Sequence, residues 1–329
     1  MVEDPRNPGV HDSMTGNPGD PDTARRAALS PILGRDHHLP AAASVRVTVG
    51  ARSHQGALRQ RNEDHYLIVR VGRDQETLAT SLSGTDVPPR YQESGYAMLV
   101  ADGLGEGGAG SVASRVALST FAHLALHYGK WNVRVDPITA EQIMERAEWF
   151  YSQVDAAVHK RASSSPALKG MTAALTATYS AGDDLFVAHV GHSRAYLFRE
   201  GHLTQLTRDQ TIERHLADSK RLVSIERRAQ DLKHILTDAV GAPGAHPMVE
   251  VERFPLVNGD CVLLCTNGLT DMIDDTRIAE VLALRREPGE QCATLVDMAN
   301  RAGGGDNITV LLAEYHIPDP RSAIPDGPR

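Results

Sequence analysis

The sequence contains no apolar run that approaches the about 18 residues needed for a membrane-crossing helix. Its N-terminus also lacks the basic and then apolar pattern of a secretory signal. The three cysteines form no C-x-x-C pair, and Cys261 and Cys265 flank the apolar stretch CVLLC at a same-face spacing. We therefore expect core thiols in a reducing cytoplasm and no membrane association.

Two further features of the sequence argue against a zinc site and against nucleic-acid binding. There is no H-E-x-x-H motif and no Cys/His set, which disfavours zinc. The net charge is −8, which argues against nonspecific nucleic-acid binding. The 329 residues are 41% hydrophobic and show no internal repeat, so the chain is long enough to bury a real core.

Composition predicts where that core begins and ends. Residues 1–43 are rich in Pro, Gly, Asp and Ala without apolar periodicity, which predicts a disordered tail. A single domain is expected over residues 44–316. Residues 317–329 are again rich in Pro and Asp and predict a second disordered tail.

The order of periodicities predicts an α+β fold. Alternating Val45, Val47 and Val49 indicate a strand, and a second strand follows Asn62, so that the two are expected to form a hairpin. A long loop is predicted from Gly72 to Gly95, then a buried strand, two helices (the second capped by Thr139), more strands, a charged helical segment at 208–234, and further strands and helices. This is not a βαβ rhythm, and it favours antiparallel sheet with helices packed outside.

The most informative stretch is AMLVADGLGEGGAG, residues 97–110. It reads as a buried strand that ends on Asp102, followed by glycines and a helix; the glycines allow close approach of backbone or ions. A plain Asp-Gly turn is the alternative. Gly103, Gly105 and Gly108 also satisfy G-x-G-x-x-G, but no second strand ending in an acidic residue follows, so dinucleotide binding is rejected.

Acidic and amide residues recur at the ends of predicted strands. The set comprises Glu63 and Asp64 before the second strand, Asp102, Asn267 after CVLLCT, and Asp306 in GGGDN. Each alone is ordinary turn chemistry. Together they indicate a shared site for Mg²⁺ or Mn²⁺, which prefer oxygen ligands and retain several waters. Arg59, five residues before Asp64, is either a phosphate ligand or a surface arginine.

Seven motifs in order resemble the PP2C-like family of metal-dependent protein phosphatases, of the bacterial serine/threonine type. They are R-x-x-N-E-D (59–64), V-A-D-G (100–103), G-M-T (170–172), V-G-H-S-R-A-Y (190–196), L-T-R-D (206–209), C-T-N-G-L-T-D (265–271) and G-G-D-N-I-T (304–309). The resemblance covers about residues 45–315. It implies an α-β-β-α sandwich of two antiparallel sheets flanked by helices.

The resemblance also implies a site for two or more Mn²⁺ or Mg²⁺ ions. Asp102 is expected to bridge two ions, with the Gly103 carbonyl and Asp306 as further ligands. Glu63 and Asp64 are expected to act on the other ion, in unequal roles because adjacent strand residues face opposite sides. Arg59 is expected to bind the phosphoryl oxygens while an activated water attacks phosphorus. No phosphoenzyme is implied.

Three positions depart from the family pattern. Asn267 stands where aspartate is usual, so it is expected to bind a metal as a neutral and weaker ligand. His192 stands where an aspartate associated with an additional metal is usual; it either supports Mn²⁺ or packs, and packing is favoured here. Leu104 stands where some members carry a histidine proposed as general acid, so another group must protonate the leaving oxygen.

The sequence thus predicts a cytoplasmic, monomeric serine/threonine protein phosphatase. Its partner is a phosphorylated protein, the product of a serine/threonine kinase. A catalytically degenerate binding module is the alternative, suggested by Asn267 and His192 and opposed by the intact acidic set and Arg59. The loop Gly72 to Gly95 and the segment Arg208 to Lys233 are the expected specificity surfaces.

Overall fold

The computed structural model describes residues 45–82, 87–129, 135–218, 232–244 and 246–318. The chain divides into two units, Met1–Leu39 and Pro40–Arg329, of which the first lies outside the described residues. The predicted N-terminal tail also lies outside them, as does the predicted C-terminal tail after residue 318. The limits of the domain therefore stay a prediction.

Ten strands lie in the described residues. They are β1 (Arg46–His54), β2 (His65–Glu76), β3 (Arg90–Leu104), β4 (Thr172–Ala181), β5 (Asp184–Val190), β6 (Arg194–Arg199), β7 (His202–Gln205), β8 (Glu250–Pro255), β9 (Cys261–Cys265) and β10 (Ile308–His316). The helices described are α1 (Ala109–Tyr128), α2 (Pro137–Ala162), α3 (Ile212–Asp218), α4 (Asn267–Thr270), α5 (Asp275–Ala283) and α6 (Pro288–Arg301).

The strands form two five-stranded sheets, in the orders β1-β10-β9-β6-β7 and β2-β3-β4-β5-β8. All pairings within them are antiparallel. Strand β3 is the longest and lies between β2 and β4, so both of its edges are hydrogen-bonded. The residues at its end therefore have a fixed position.

Side-chain alternation along β3 explains how the layers stack. Met98 and Val100 point into the apolar layer between the two sheets, where they meet residues such as Leu264 and Leu311. Leu99 and Ala101 point the other way, into the layer beneath α1 and α2. A separate core lies between the other sheet and α5 and α6. The chain is thus an α-β-β-α sandwich, as predicted.

One topological prediction is wrong: β1 and β2 do not form a hairpin. Strand β1 pairs with β10, from Arg46 opposite His316 to His54 opposite Ile308, whereas β2 pairs with β3 in the other sheet. Alternation in each strand was visible in the sequence, but it does not identify the partner strand. The consequence is functional, because residues 55–64 must cross from one sheet to the other.

Local boundaries also differ from the predictions. The predicted loop from Gly72 to Gly95 is strand at both of its ends, since β2 runs to Glu76 and β3 begins at Arg90. Helix α2 is capped by Asp136, whose side chain accepts the Thr139 N–H, and not by Thr139. In the charged segment, helix is described only over α3, and residues 219–231 lie outside the described residues.

The three cysteines are buried free thiols, as predicted. Burial raises the pKa of Cys261 to about 11 and those of Cys265 and Cys292 to about 12. They are consequently protonated and weakly nucleophilic at neutral pH. Among the helices of the described residues, none is long and apolar enough to span a bilayer.

Candidate active site

Asp102 lies near the end of β3 but does not end it as the sequence indicated, since β3 continues to Leu104, two residues later. Its backbone is paired with Ala174 of β4. The next residue must be glycine, because a side chain on Gly103 would collide with the Gly110 carbonyl in the first turn of α1. Strand β3 and helix α1 therefore meet closely beside the Asp102 carboxylate, whose side chain is 15% exposed.

Glu63 and Asp64 precede β2 and occupy two different environments. Glu63 lines an open cleft of about 610 Å³ together with Asp102. Asp64 is only 5% exposed and lies among buried hydroxyl groups: its Oδ2 accepts hydrogen bonds from Thr266 Oγ1 at 2.9 Å and Thr309 Oγ1 at 2.8 Å. Its Oδ1 is buried without a hydrogen-bond partner among the described residues. The two carboxylates therefore lie in unequal environments.

Asp306 and Arg59 lie together on the same cleft. The Arg59 guanidinium donates to Asp306 Oδ2 at 2.7 Å, and the two side chains are 55% and 28% exposed. The sequence placed Arg59 against a phosphoryl group and Asp306 against a metal, so this ion pair is a contact that the sequence did not predict. An exposed pair of this kind contributes about 0–1 kcal/mol and is easily exchanged for another partner.

Asn307 holds the segment that carries Arg59 and Glu63. Its Oδ1 accepts the Glu63 N–H at 2.8 Å, and its Nδ2 donates to the carbonyls of Gln55 at 2.7 Å and Arg61 at 2.8 Å. One amide thereby fixes the crossing between the two sheets. Sequence reasoning placed Asn307 in a motif without a role, because its contacts are with residues about 250 positions away.

Asn267 begins the short helix α4 and lines the cleft. Its Nδ2 donates to Asp271 Oδ2 at 3.2 Å, and Lys233 Nζ holds Asp271 Oδ1 at 2.9 Å. The Asn267 Oδ1 atom is buried without a hydrogen-bond partner among the described residues. The amide is therefore oriented from behind, as a ligand oxygen would be.

Lys233 and His234 line the cleft and were missed as site residues. The only sequence signal was that Lys233 ends the charged segment predicted as a specificity surface. His192 also lines the cleft, with its Nδ1 at 3.9 Å from Asp102 Oδ2. Leu104 is present in the cleft wall and offers no proton.

Burial and mutual repulsion favour the protonated form of the carboxylates at the cleft. Burial and then the neighbouring Asp64 and Asp306 raise the pKa of Asp102 well above its usual value. Burial raises the pKa of Asp64 to about 7 despite two hydroxyl donors, and burial also raises the pKa of Glu63, opposed by the Ser111 N–H. Groups that repel one another in this way become fully ionised only beside added positive charge.

The donor set fits a hard divalent cation. Glu63, Asp102, Asn267 and Asp306 line one cleft, and buried oxygens of Asp64 and Asn267 have no hydrogen-bond partner among the described residues. No three His, Cys, Asp or Glu side chains of the described ranges close into a tight metal cage. An open set is consistent with Mg²⁺ or Mn²⁺, which keep several waters and use few protein carboxylates.

Comparison with known proteins identifies the family of the chain. The family model described as Stage II sporulation protein E (SpoIIE) matches residues 92–316. The serine/threonine phosphatase stp of Listeria monocytogenes serovar 1/2a is 34% identical over 222 residues, covering 67% of this chain and 84% of that protein. The chain belongs to the SpoIIE/PP2C-type family of metal-dependent phosphatases.

Among particular relatives, the serine/threonine protein phosphatase PstP of Mycobacterium tuberculosis is 31% identical over 217 residues, 66% of this chain. The chain spans 40% of the length of PstP. A structure of the PstP catalytic domain in complex with two manganese ions has a TM-score of 0.61 and 29% identity, covering 83% of this chain and 99% of that one. The chain thus resembles that catalytic domain, and not the whole of PstP.

Proposed function

We propose that this chain is a Mn²⁺- or Mg²⁺-dependent serine/threonine protein phosphatase that hydrolyses phosphoserine and phosphothreonine in a phosphorylated protein. The observation that carries the proposal is the convergence of Glu63, Asp102 and Asp306 with Arg59 on one open cleft. In the motifs these residues are separated by up to 247 positions, from Arg59 to Asp306. The comparisons support the reaction class, since several curated relatives are serine/threonine protein phosphatases.

We assign the metal-holding residues as Glu63, Asp64, Asp102, the Gly103 carbonyl, Asn267 and Asp306. Bound cations of this kind supply a Lewis acid and an activated water for attack at phosphorus. The protein's own part is to place these oxygens on rigid elements: Asp102 on a strand paired at both edges, and Asp64 between two threonine hydroxyls. Asp64 does not line the cleft, and its unpartnered Oδ1 is the oxygen left to act on a cation, directly or through a water.

Arg59 binds the phosphoryl oxygens in this proposal. Its side chain is more than half exposed at the cleft, and its partner Asp306 is one of the assigned metal-holding groups. An Asp306 carboxylate that binds a metal ion would attract the Arg59 guanidinium less strongly. Arg59 is then free to turn toward an incoming phosphate, for which its planar pair of N–H donors is suited.

The remaining groups limit the mechanism. The buried cysteines with raised pKa values are unsuited to forming a phosphoenzyme, so direct attack by water is favoured. Leu104 cannot donate a proton, and the open cleft gives solvent access to the leaving oxygen. The degenerate-module alternative loses support, because the departures at Asn267 and His192 leave the carboxylates and Arg59 together.

Finer points of biology are also proposed. We infer a cytoplasmic monomer whose substrates are products of a serine/threonine kinase. The buried free thiols support a reducing compartment. Lys233, the last residue of the predicted specificity segment, lines the cleft, which supports that segment as a substrate contact.

The direct test is hydrolysis of a phosphothreonine peptide by the purified full chain, with Mn²⁺ and with chelator. Turnover is expected with Mn²⁺ and is expected to disappear with chelator and in Asp102→Asn. A matched control is Asp74→Asn, which alters an exposed carboxylate paired with Arg90 on the β2–β3 hairpin. Mn²⁺-independent turnover, or none in a folded protein under any divalent ion, would reject the proposal.

A further inference from the structure

Two buried histidines near the cleft are bonded differently. His189 has partners on both ring nitrogens: Thr176 Oγ1 at 2.8 Å from Nδ1 and the Gly191 carbonyl at 3.0 Å from Nε2. His192 is 5% exposed, and its Nδ1 is buried without a hydrogen-bond partner among the described residues. A histidine that only packs is expected to satisfy its nitrogens as His189 does. His192 therefore differs from a histidine of the His189 type, whose two ring nitrogens are both satisfied within the protein.

The unpartnered nitrogen has a ligand-like setting. His192 lines the cleft, and Nδ1 lies 3.9 Å from the Asp102 carboxylate, too far for a direct hydrogen bond. An imidazole nitrogen that faces a carboxylate across such a gap is a ligand that a metal ion can bind.

Asn267 supplies a second potential ligand atom without a hydrogen-bond partner, and this residue lines the same cleft. It is 7% exposed, and its Oδ1 has no hydrogen-bond partner among the described residues. The chain of contacts from Lys233 through Asp271 to Asn267 Nδ2 holds the amide with its nitrogen turned toward Asp271. Such support from behind is typical of groups that bind a metal.

We propose that His192 Nδ1, Asn267 Oδ1 and the Asp102 carboxylate form a mixed nitrogen–oxygen subsite that prefers a divalent first-row transition ion to Mg²⁺. This inference rests on the proposed function, because it concerns the same cleft. It goes further by giving His192 a role as a direct ligand and by naming the class of ion that the subsite selects.

Ligand chemistry gives the preference its direction. Mg²⁺ is a hard ion that favours carboxylates, carbonyls and water, whereas imidazole suits transition ions. A subsite with one carboxylate, one imidazole and one amide also carries less negative charge than an all-carboxylate set. That loss weakens binding of a hard ion most, since its binding depends mainly on charge, while a transition ion gains a bond to nitrogen.

The test is pulsed electron paramagnetic resonance of the full chain loaded with Mn²⁺, which detects nitrogen nuclei bonded to the ion. Coupling to ¹⁴N is expected in the parent protein and is expected to change to ¹⁵N coupling after labelling with ¹⁵N-histidine. His192→Asp should lose the nitrogen coupling. It should also lower the preference for Mn²⁺ over Mg²⁺, measured by calorimetric titration, by about tenfold or more.

The matched control is His234→Gln, which removes the other cleft histidine, a side chain 49% exposed. Its nitrogen coupling should equal that of the parent. Absence of coupling in the parent at saturating Mn²⁺, or coupling lost only in His234→Gln, would overturn the inference. The labelling arm needs no substitution, so the result stands even where His192→Asp fails to fold.

A phosphatase assay on the same samples separates the two proposals. Turnover with Mn²⁺ but no nitrogen coupling would leave the proposed function standing and reject His192 as a ligand. Nitrogen coupling without turnover would support the subsite and reject the catalytic proposal.

Discussion

Two groups of buried aspartates in this fold are neutralised in different ways. Asp260 has a fully buried side chain and receives two guanidinium hydrogen bonds from Arg199, at 2.8 and 2.6 Å, and the Val257 N–H at 2.8 Å. Asp64 in the active-site region receives only two hydroxyl hydrogen bonds, and one of its oxygens has no partner among the described residues. Within the residues that the structure describes, no lysine or arginine forms an ion pair with Asp64 or Asp102.

The difference shows what each group is for. A buried carboxylate is tolerated when a fixed cation and hydrogen bonds compensate it, as at Asp260, and that pair serves the fold. Asp64 and Asp102 have no such cation, and their burial together with repulsion from neighbouring carboxylates raises the pKa of each. Their compensation must come from ions that bind, so the fold is less stable there in exchange for function.

The largest expected effect comes from removing the cleft charge itself. Asp102→Asn should lower kcat by at least roughly a thousandfold, since one catalytic donor alone commonly accounts for that much. The metal-free protein should be no less stable than the parent, because one of several repelling carboxylates is gone. Steady-state kinetics at saturating Mn²⁺ and thermal melts in chelator measure both; near-normal turnover would end the metal-site account.

The same substitution at Asp260 should lower stability and leave activity unchanged. Asp260→Asn should cost roughly 2–4 kcal/mol of unfolding free energy, somewhat below the usual range for a buried pair since Arg199 is partly exposed. The activity of the folded fraction should be retained. Urea denaturation measures the loss, and stability equal to the parent would mean that the two groups of aspartates do not differ as described.

Arg59→Ala tests the arginine that pairs with the cleft carboxylate Asp306. KM for a phosphopeptide should rise about tenfold through loss of a charge-assisted contact. Mn²⁺ affinity should change less than about fivefold, because the exposed Arg59–Asp306 pair is weak. Product inhibition by phosphate checks the assignment: identical inhibition in variant and parent would make Arg59 a surface residue only.

Asn267→Asp adds a carboxylate to the uncompensated group. Metal binding should tighten by about tenfold, while the metal-free protein should lose stability because the new charge is partly desolvated and repelled by Asp102. Calorimetric titration with Mn²⁺ and melts in chelator test the two halves. Unchanged affinity would show that Asn267 is not a ligand.

The smallest effect is a pH dependence of the metal-free protein. The folded pKa of Asp64, about 7, lies above its unfolded value. Its contribution to stability is therefore present below the unfolded pKa and is lost as pH rises through about 7. Melts in chelator from pH 5 to 8 should show a slope that flattens in Asp64→Asn; an equal slope in both proteins would assign the dependence elsewhere.

Sequence patterns predicted the layers of the fold better than its connections. Alternating and helical periods report which side of an element is buried, so the sandwich and the buried CVLLC strand were foreseeable. They carry no information on which strand pairs with which, and the β1–β10 pairing joins opposite ends of the domain. The extent of the β2–β3 hairpin was also hidden, because its outer half is polar and exposed.

In the candidate site, too, the sequence predicted some features and not others. Its carboxylates were found because acidic residues at strand ends are recorded directly in the sequence. The contacts that orient them were not, since Asn307 acts on Glu63 and Lys233 on Asp271 through folding alone. The different status of His189 and His192 likewise depends on whether each nitrogen has a partner, which no local pattern reveals.

The measurement that tests the central claim most directly is titration of chelator-treated protein with Mn²⁺, followed by calorimetry and by thermal melting. The cleft should bind at least two Mn²⁺ ions, and Tm should rise with Mn²⁺ concentration. For one site, Mn²⁺ at a hundredfold excess over Kd should add about 2.7 kcal/mol to the free energy of unfolding. Asp102→Asn should lose most of that binding and stabilisation. Equal binding by parent and variant, or a parent whose Tm is indifferent to Mn²⁺, would contradict the account.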